Sequence, residues 1–239
     1  MTVTTQAIVF SSIKYGEADL IVTCYTRDYG LKKYMLKGVL KSRKGKLRAS
    51  YFQPLTQLEI VAIHKNKGTL ERIKEVKISV PYQTLQTQVT KSTLALFLSE
   101  ILKTVIQEEE KNTDLFAFLS HSFVWLDTHN HFANFHILFL LKLSAYLGFY
   151  PKLDKTNNQY FNILEGNFQE NSTNTYCVSG EKITYFKTFF GINFDATEHI
   201  KLTGKVRLEI LTLLLSYYQL HLQGFKKPKS VDVLVQIFR

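Results

Sequence analysis

Cysteine, proline and tryptophan are scarce in this chain, at two, four and one among 239 residues. Cys24 and Cys177 are too few for a disulfide framework or a four-cysteine zinc site. Long apolar runs are missing too. The longest, residues 137–149, is broken by Lys142 and falls short of the roughly 20 residues a membrane span needs, so no membrane association is expected. The first cation is Lys14, so no secretory leader is expected either. A phosphate-binding loop would need Gly-Lys-Ser/Thr, whereas Gly45-Lys46 is followed by Leu47. His121, His129, His131 and His136 never stand four apart, the spacing that lets two histidines on one helical face share a metal. Glu108, Glu109 and Glu110 read as a solvated helix end, not as a catalytic carboxylate pair. Cys24 reads as a small buried hydrophobe. These absences predict a non-enzyme without metal or cofactor.

Apolar material and positive charge are plentiful. The chain is 45% hydrophobic and 13% aromatic, ample for a packed core, and carries a formal charge of +10. Residues 1–80 hold 15 Lys/Arg against 6 Asp/Glu, whereas residues 81–239 hold 15 against 14. Within the first third, residues 31–48 contain no anion and eight cations: Lys32, Lys33, Lys37, Lys41, Arg43, Lys44, Lys46 and Arg48. Such a run repels itself unless a polyanion neutralises it, and nucleic acid is the commonest polyanion.

The periodicity changes along the chain. Residues 6–10, 20–26, 33–37, 55–63 and 70–80 are rich in β-branched and aromatic side chains and are separated by Gly-containing turns. Five short strands with a long loop between the third and fourth predict a five-stranded OB-fold barrel. Tyr25 and Tyr34 would then offer exposed rings on which bases stack. After Pro81, Leu94, Phe97, Leu98, Ile101, Leu102 and Val105 recur at helical spacing. Thr113 is expected to cap a second helix, and residues 132–147 form a third, apolar on nearly every side. Residues 152–180 are polar and Asn-rich with short β-like pieces. Residues 182–190, 206–222 and 230–238 read as further helices, the middle one preceded by Thr203. The predicted class is α+β: an OB-fold domain at residues 1–80, then a helical domain at 81–239 with an irregular insertion at about 151–190.

The pieces Thr5-Gln6-Ala7-Ile8-Val9-Phe10, Tyr15-Gly16-Glu17-Ala18-Asp19-Leu20 and Tyr25-Thr26-Arg27-Asp28-Tyr29-Gly30-Leu31 resemble the start of the RecO family of recombination mediators. So do Lys37-Gly38-Val39-Leu40, Phe52-Gln53-Pro54-Leu55 and Lys67-Gly68-Thr69-Leu70, in the same order. Leu147-Gly148-Phe149-Tyr150-Pro151 and Tyr217-Tyr218-Gln219-Leu220-His221-Leu222 extend the resemblance thinly to the rest of the chain. It implies a non-catalytic protein of DNA repair that binds single- and double-stranded DNA and promotes annealing. It also implies a partner like RecR, contact with the C-terminal tail of single-stranded-DNA-binding protein, and indirect help to the recombinase RecA. A cytoplasmic, nucleoid-associated location follows.

Many members of that family carry a four-cysteine zinc ribbon after the Leu-Gly-x-x-Pro segment, where this chain keeps Cys177 alone. The resemblance therefore implies a zinc-free variant, its insertion held by Tyr160, Phe161, Phe168 and Tyr176. The expected nucleic-acid contacts are Lys32, Lys33, Tyr34, Lys37, Lys41, Arg43, Lys44, Lys46 and Arg48. Lys226, Lys227 and Lys229, after a strongly apolar helix, are expected to meet the acidic, hydrophobic tail of a partner. Two other functions share the charge argument: a basic OB-fold adaptor for acidic protein tails, and an RNA-binding module.

Overall fold

The computed structural model describes residues 1–41, 47–65 and 69–237. Five antiparallel strands come first: β1 (Thr2–Tyr15), β2 (Asp19–Thr26), β3 (Gly30–Leu36), β4 (Gln57–Ile63) and β5 (Arg72–Val80). They lie in the order β3-β2-β1-β4-β5. A parallel bridge between Tyr34 and Glu71 closes the sheet, with Met35 N donating to Glu71 O at 2.9 Å and Glu71 N to Lys33 O at 2.8 Å. Strand one paired with both two and four, and strand three closing on five, is the connectivity of an OB-fold barrel. Val9, Val22, Cys24, Tyr34, Leu36, Leu58 and Ile60 fill the barrel, and Phe52, from a 3-10 turn at Ala49–Phe52, joins them.

A bulge between Val9 and Ser11 shifts the pairing of β1 with β2. An extra residue reverses the inside–outside alternation beyond it. Phe10, whose neighbour Val9 points into the barrel, is wholly buried too. Its ring stacks on Tyr25 at 5.7 Å, and Tyr25 stacks in turn on Phe116 at 6.2 Å. Phe116 belongs to α2 (Thr113–Thr128), which follows α1 (Val89–Val105). Burying each such ring contributes about 1.5–3 kcal/mol. Ser120 Oγ also donates to Gln57 Oε1 at 2.6 Å. The two helices therefore pack with the barrel in a compact unit spanning Met1–Thr128, and His129–Arg239 forms a second. The compact units divide at 128/129, whereas the strands give way to helices near residue 80, where the change of period lies. Periodicity marks where strands give way to helices, but not which helices cover the barrel. The N-terminus of α2 also differs from expectation. Asn112 caps it, its Oδ1 accepting from Leu115 N at 2.9 Å, in place of Thr113.

The second unit is built on α3 (Phe135–Tyr146), whose residues 135–141 are all buried, and α5 (Gly204–His221). Thr203 caps α5, accepting from Val206 N at 3.2 Å. Tyr218 Oη donates to Leu140 O at 2.7 Å and ties the two helices together. The insertion forms a small sheet of β6 (Tyr160–Asn162), β7 (Asn167–Gln169) and β8 (Cys177–Val178), followed by α4 (Glu181–Lys187). Phe161 is its anchor, with ring centroids 4.9 Å from Phe168, 5.3 Å from Phe186 and 5.8 Å from Tyr217. Gly166 has φ +65°, and a Cβ there would lie 2.6 Å from Tyr217 Oη, so only glycine fits. Tyr160 and Tyr176 are more exposed than expected, Tyr176 at 40%, and Phe186 and Tyr217 do that work instead. The chain ends in a short helix, α6 (Val231–Ile237). Among the described residues, no helix is long and apolar enough to cross a membrane.

Candidate nucleic-acid interface

The basic segment leaves β3 and is tied down at both ends. Gly38 takes φ +69° and its N–H donates to Asp19 Oδ1 at 2.7 Å, while Leu40 N donates to Ala18 O at 2.9 Å. These bonds hold the start of the loop against the tip of the β1–β2 hairpin. At the other end, Tyr51 N donates to Arg48 O at 3.0 Å as the chain turns to bury Phe52 in the barrel. Lys33, Lys37, Lys41 and Arg48 are all exposed. Lys41 pairs with Glu17 at 2.9 Å, both side chains well over half exposed. A surface pair of this kind contributes about 0–1 kcal/mol, so it yields readily to a phosphate. Arg43, Lys44 and Lys46 lie outside the described residues.

Three expected contacts are differently placed. Tyr34 is wholly buried, with Oη 2.9 Å from His64 Nε2, and its hydroxyl is held well above the usual phenol range by burial and by neighbouring groups including Cys24 and Glu71. Tyr25 is buried between Phe10 and Phe116, with its phenol pushed up to about 12 by burial and by Glu108. Neither ring can stack on a base, because each already fills a core position. Lys32 is only 10% exposed along its side chain and its Nζ lies 2.6 Å from Glu109 Oε2. It borders a polar cleft of about 630 Å³, shared with Thr23, Lys33, Thr69 and Lys103. An exposed aromatic of the barrel that the sequence expectations leave out is Tyr15, 55% exposed at the hairpin tip beside Ile13, itself 51% exposed. Its signal was its place immediately before the Gly16 turn, where a strand outruns its core.

The second unit holds an apolar cavity of about 390 Å³, lined by His136 of α3, Leu208 and Leu211 of α5 and Leu234 of α6. Lys205 and Arg207 supply its cations. Asn134 Oδ1 accepts from Arg207 Nε at 3.0 Å, and Leu202 O accepts from Nη2 at 3.2 Å, which fixes the guanidinium. Lys226, Lys227 and Lys229 are exposed but are not among these lining residues. The alternation there, with Phe225 and Pro228 buried between them, turns the lysines outward.

Among the described residues, no group of three or more His, Cys, Asp or Glu is placed to hold a metal ion. The Cys177 thiol lies against Thr173 Oγ1 at 3.6 Å and Asn174 Oδ1 at 3.8 Å, and Cys24 is sealed in the barrel core. These residues do not fit a tetrahedral zinc. Burial pushes the Cys24 thiol up to about 12, so it is inert as a nucleophile at neutral pH.

Two family models cover most of the chain. Residues 1–82 match the model described as Recombination protein O N terminal, and residues 86–230 match Recombination protein O C terminal. Over 238 residues and the full length of both chains, the sequence is 51% identical to DNA repair protein RecO of Christiangramia forsetii. It is 45% identical to that of Flavobacterium johnsoniae, again over both full lengths. For the protein of the same name from Bacteroides fragilis the figure is 34%, over 98% of each chain. With an OB-fold barrel followed by helices, both family models matched and relatives alike from end to end, the chain belongs to the RecO family.

Proposed function

We propose that the chain is a non-catalytic mediator of recombinational DNA repair that binds single- and double-stranded DNA through its barrel and promotes annealing. The observation carrying this reading is the cluster of exposed Lys33, Lys37, Lys41 and Arg48 on β3 and the anchored loop of an OB-fold barrel. Phosphate repulsion opposes the approach of complementary strands, and cations within a Debye length of about 8 Å at physiological salt screen it. Side chains of this kind position a backbone without reading bases, so binding is independent of sequence. Tyr15 adds a ring for stacking at the edge of the same loop.

The cavity between α3, α5 and α6 suits the acidic, apolar tail of single-stranded-DNA-binding protein: Leu208, Leu211 and Leu234 form the wall, and Lys205 and Arg207 meet the carboxylates. Docking there brings the barrel to coated strands, where, with a RecR-like partner, it helps load RecA. The location is cytoplasmic and nucleoid-associated.

A fluorescence annealing assay on complementary strands, with and without the coating protein, tests the mediator reading. Acceleration of both is expected. Acceleration of neither would leave the adaptor reading. For the cavity, calorimetry with a peptide ending in Asp and Phe residues is expected to give heat that Leu208→Asp abolishes.

A further inference from the structure

We propose that the polar cleft beside β3 is a phosphate site for single-stranded DNA in which the Glu109 carboxylate stands until a strand displaces it. This rests on the reading of the barrel as a nucleic-acid binder. The cleft lies on the β2–β3 face, next to Thr69 at the end of the β4–β5 connection. These are the surfaces on which OB barrels take oligonucleotides. Its cations are Lys32 and Lys33 from β3 and Lys103 from the last turn of α1. Its anions are Glu71, which is buried and accepts from Lys65 N at 2.8 Å, and the exposed Glu109. The Lys32 side chain is 10% exposed, whereas its partner Glu109 is 70% exposed at 2.6 Å.

The backbone carrying Glu109 is nevertheless held close. Leu31 N donates to Glu108 O at 3.0 Å. Gly30 takes φ +59°, and a Cβ there would lie 2.5 Å from the backbone of Glu109 and Glu110. The connection between α1 and α2 is therefore laid on the β2–β3 turn, while the Glu109 side chain is free to rotate into solvent. A phosphate oxygen makes the same charge-assisted bond to an ammonium as a carboxylate oxygen does. Displacing Glu109 costs little, because its carboxylate is solvated in either position. The strand gains Lys32, a cation already desolvated and fixed, together with Lys33 and Lys103 at the rim. Glu109 thus neutralises a buried lysine in the free protein and sets a threshold that only a polyanion overcomes.

The test is binding of a fluorescent oligothymidylate to the full chain across a salt series. Glu109→Gln is expected to tighten binding about threefold or more and to steepen the logarithmic salt slope by about 0.7, one further phosphate on a single strand. Glu59→Gln, which removes the same charge from an exposed site on β4, controls for net charge and is expected to leave the slope unchanged. In a Lys32→Gln background, Glu109→Gln is expected to change nothing, and Lys103→Ala alone is expected to weaken binding. Equal effects of Glu109→Gln and Glu59→Gln, or a gain that persists without Lys32, would overturn the proposal. Should Lys32→Gln unfold, the comparison of slopes between the two glutamate variants decides by itself. A parent chain that does not bind the oligomer sinks the barrel reading. A parent that binds while Glu109→Gln is inert sinks the displaced carboxylate alone.

Discussion

Lys91, which has no exposed surface, donates from Nζ to the main-chain carbonyl of Asp127 at 2.7 Å. Lys91 Nζ also donates to Thr84 Oγ1 at 2.8 Å, and that hydroxyl in turn donates to the Asp127 carbonyl. The Asp127 carboxylate accepts from the amides of Gln83 at 3.0 Å and of Thr84 and Leu85 at 2.7 Å. Burial opposes its ionisation, but the three amides outweigh that and hold the carboxyl below its usual range. The knot clamps the chain leaving the barrel onto the end of α2. Asp127→Ala orphans three amide donors and removes the carboxylate charge near a buried ammonium, whose bonds to the main-chain carbonyl and to Thr84 remain, so a loss of about 3–5 kcal/mol is expected by urea unfolding. Lys91→Met keeps the volume and leaves acceptors only, for which a loss of about 1–3 kcal/mol is expected. Equal stability of parent and Asp127→Ala would mean the knot is relaxed in solution.

Tyr15 and Tyr34 should behave oppositely. Replacing the exposed Tyr15 with Ala is expected to weaken binding of single strands by about 1–3 kcal/mol with little change in thermal midpoint. Tyr34→Phe deletes the hydroxyl on His64 and is expected to lower stability by about 1 kcal/mol while binding stays at the parental level. Fluorescence anisotropy alongside a melting curve separates the two.

Tyr34 illustrates what was legible in the sequence. Alternation alone puts Tyr34 and Leu36 on one face of β3 and Lys33 and Lys37 on the other, so a core Leu36 turns Tyr34 inward. Adjacent residues of a strand face opposite ways, so the exposed Lys33 leaves Tyr34 on the inner face, not among the stacking rings expected from the sequence. The five strands, the helix at 206–222 and its Thr203 cap follow from local patterns and stand close to where those patterns put them. The pairing of Lys32 was out of reach, because its partner Glu109 lies seventy-seven positions away. The same is true of the bulge at Phe10, which depends on α2 arriving to cover the ring. The cavity cations Lys205 and Arg207 were hidden for a similar reason. Their role comes from α3 and α6 converging on α5, whereas Lys226, Lys227 and Lys229 stood out only as neighbours in sequence.

His136 makes the second unit acid-sensitive. Burial, with a smaller contribution from Arg207, pushes its imidazole down to about 3 from an ordinary value of 6.5. The unfolded chain therefore binds a proton that the folded one refuses. The stability tied to this group is complete above pH 6.5 and falls as the pH drops towards 3, by about 1.4 kcal/mol per unit. Asp127 is silent over most of that window, because its unfolded carboxyl titrates near 3.9. Unfolding free energies measured between pH 7 and 5 are expected to fall for the parent and to flatten in His136→Gln. A flat parental profile would contradict a buried neutral imidazole.

The central claim is that exposed cations at the β3–β4 connection carry nucleic acid by its phosphates. Its most direct test is the salt dependence of oligothymidylate binding for the parent and for the triple variant Lys37→Ala, Lys41→Ala and Arg48→Ala. All three side chains are exposed, so folding should be little disturbed. The parental affinity is expected to fall steeply and linearly on logarithmic axes, with a slope near −0.7 per phosphate neutralised. In the variant the slope is expected to flatten by about two units, with roughly 1 kcal/mol of affinity lost per missing contact. A variant with the parental slope and affinity would show that the loop is only a solvated connection and that the strand runs elsewhere.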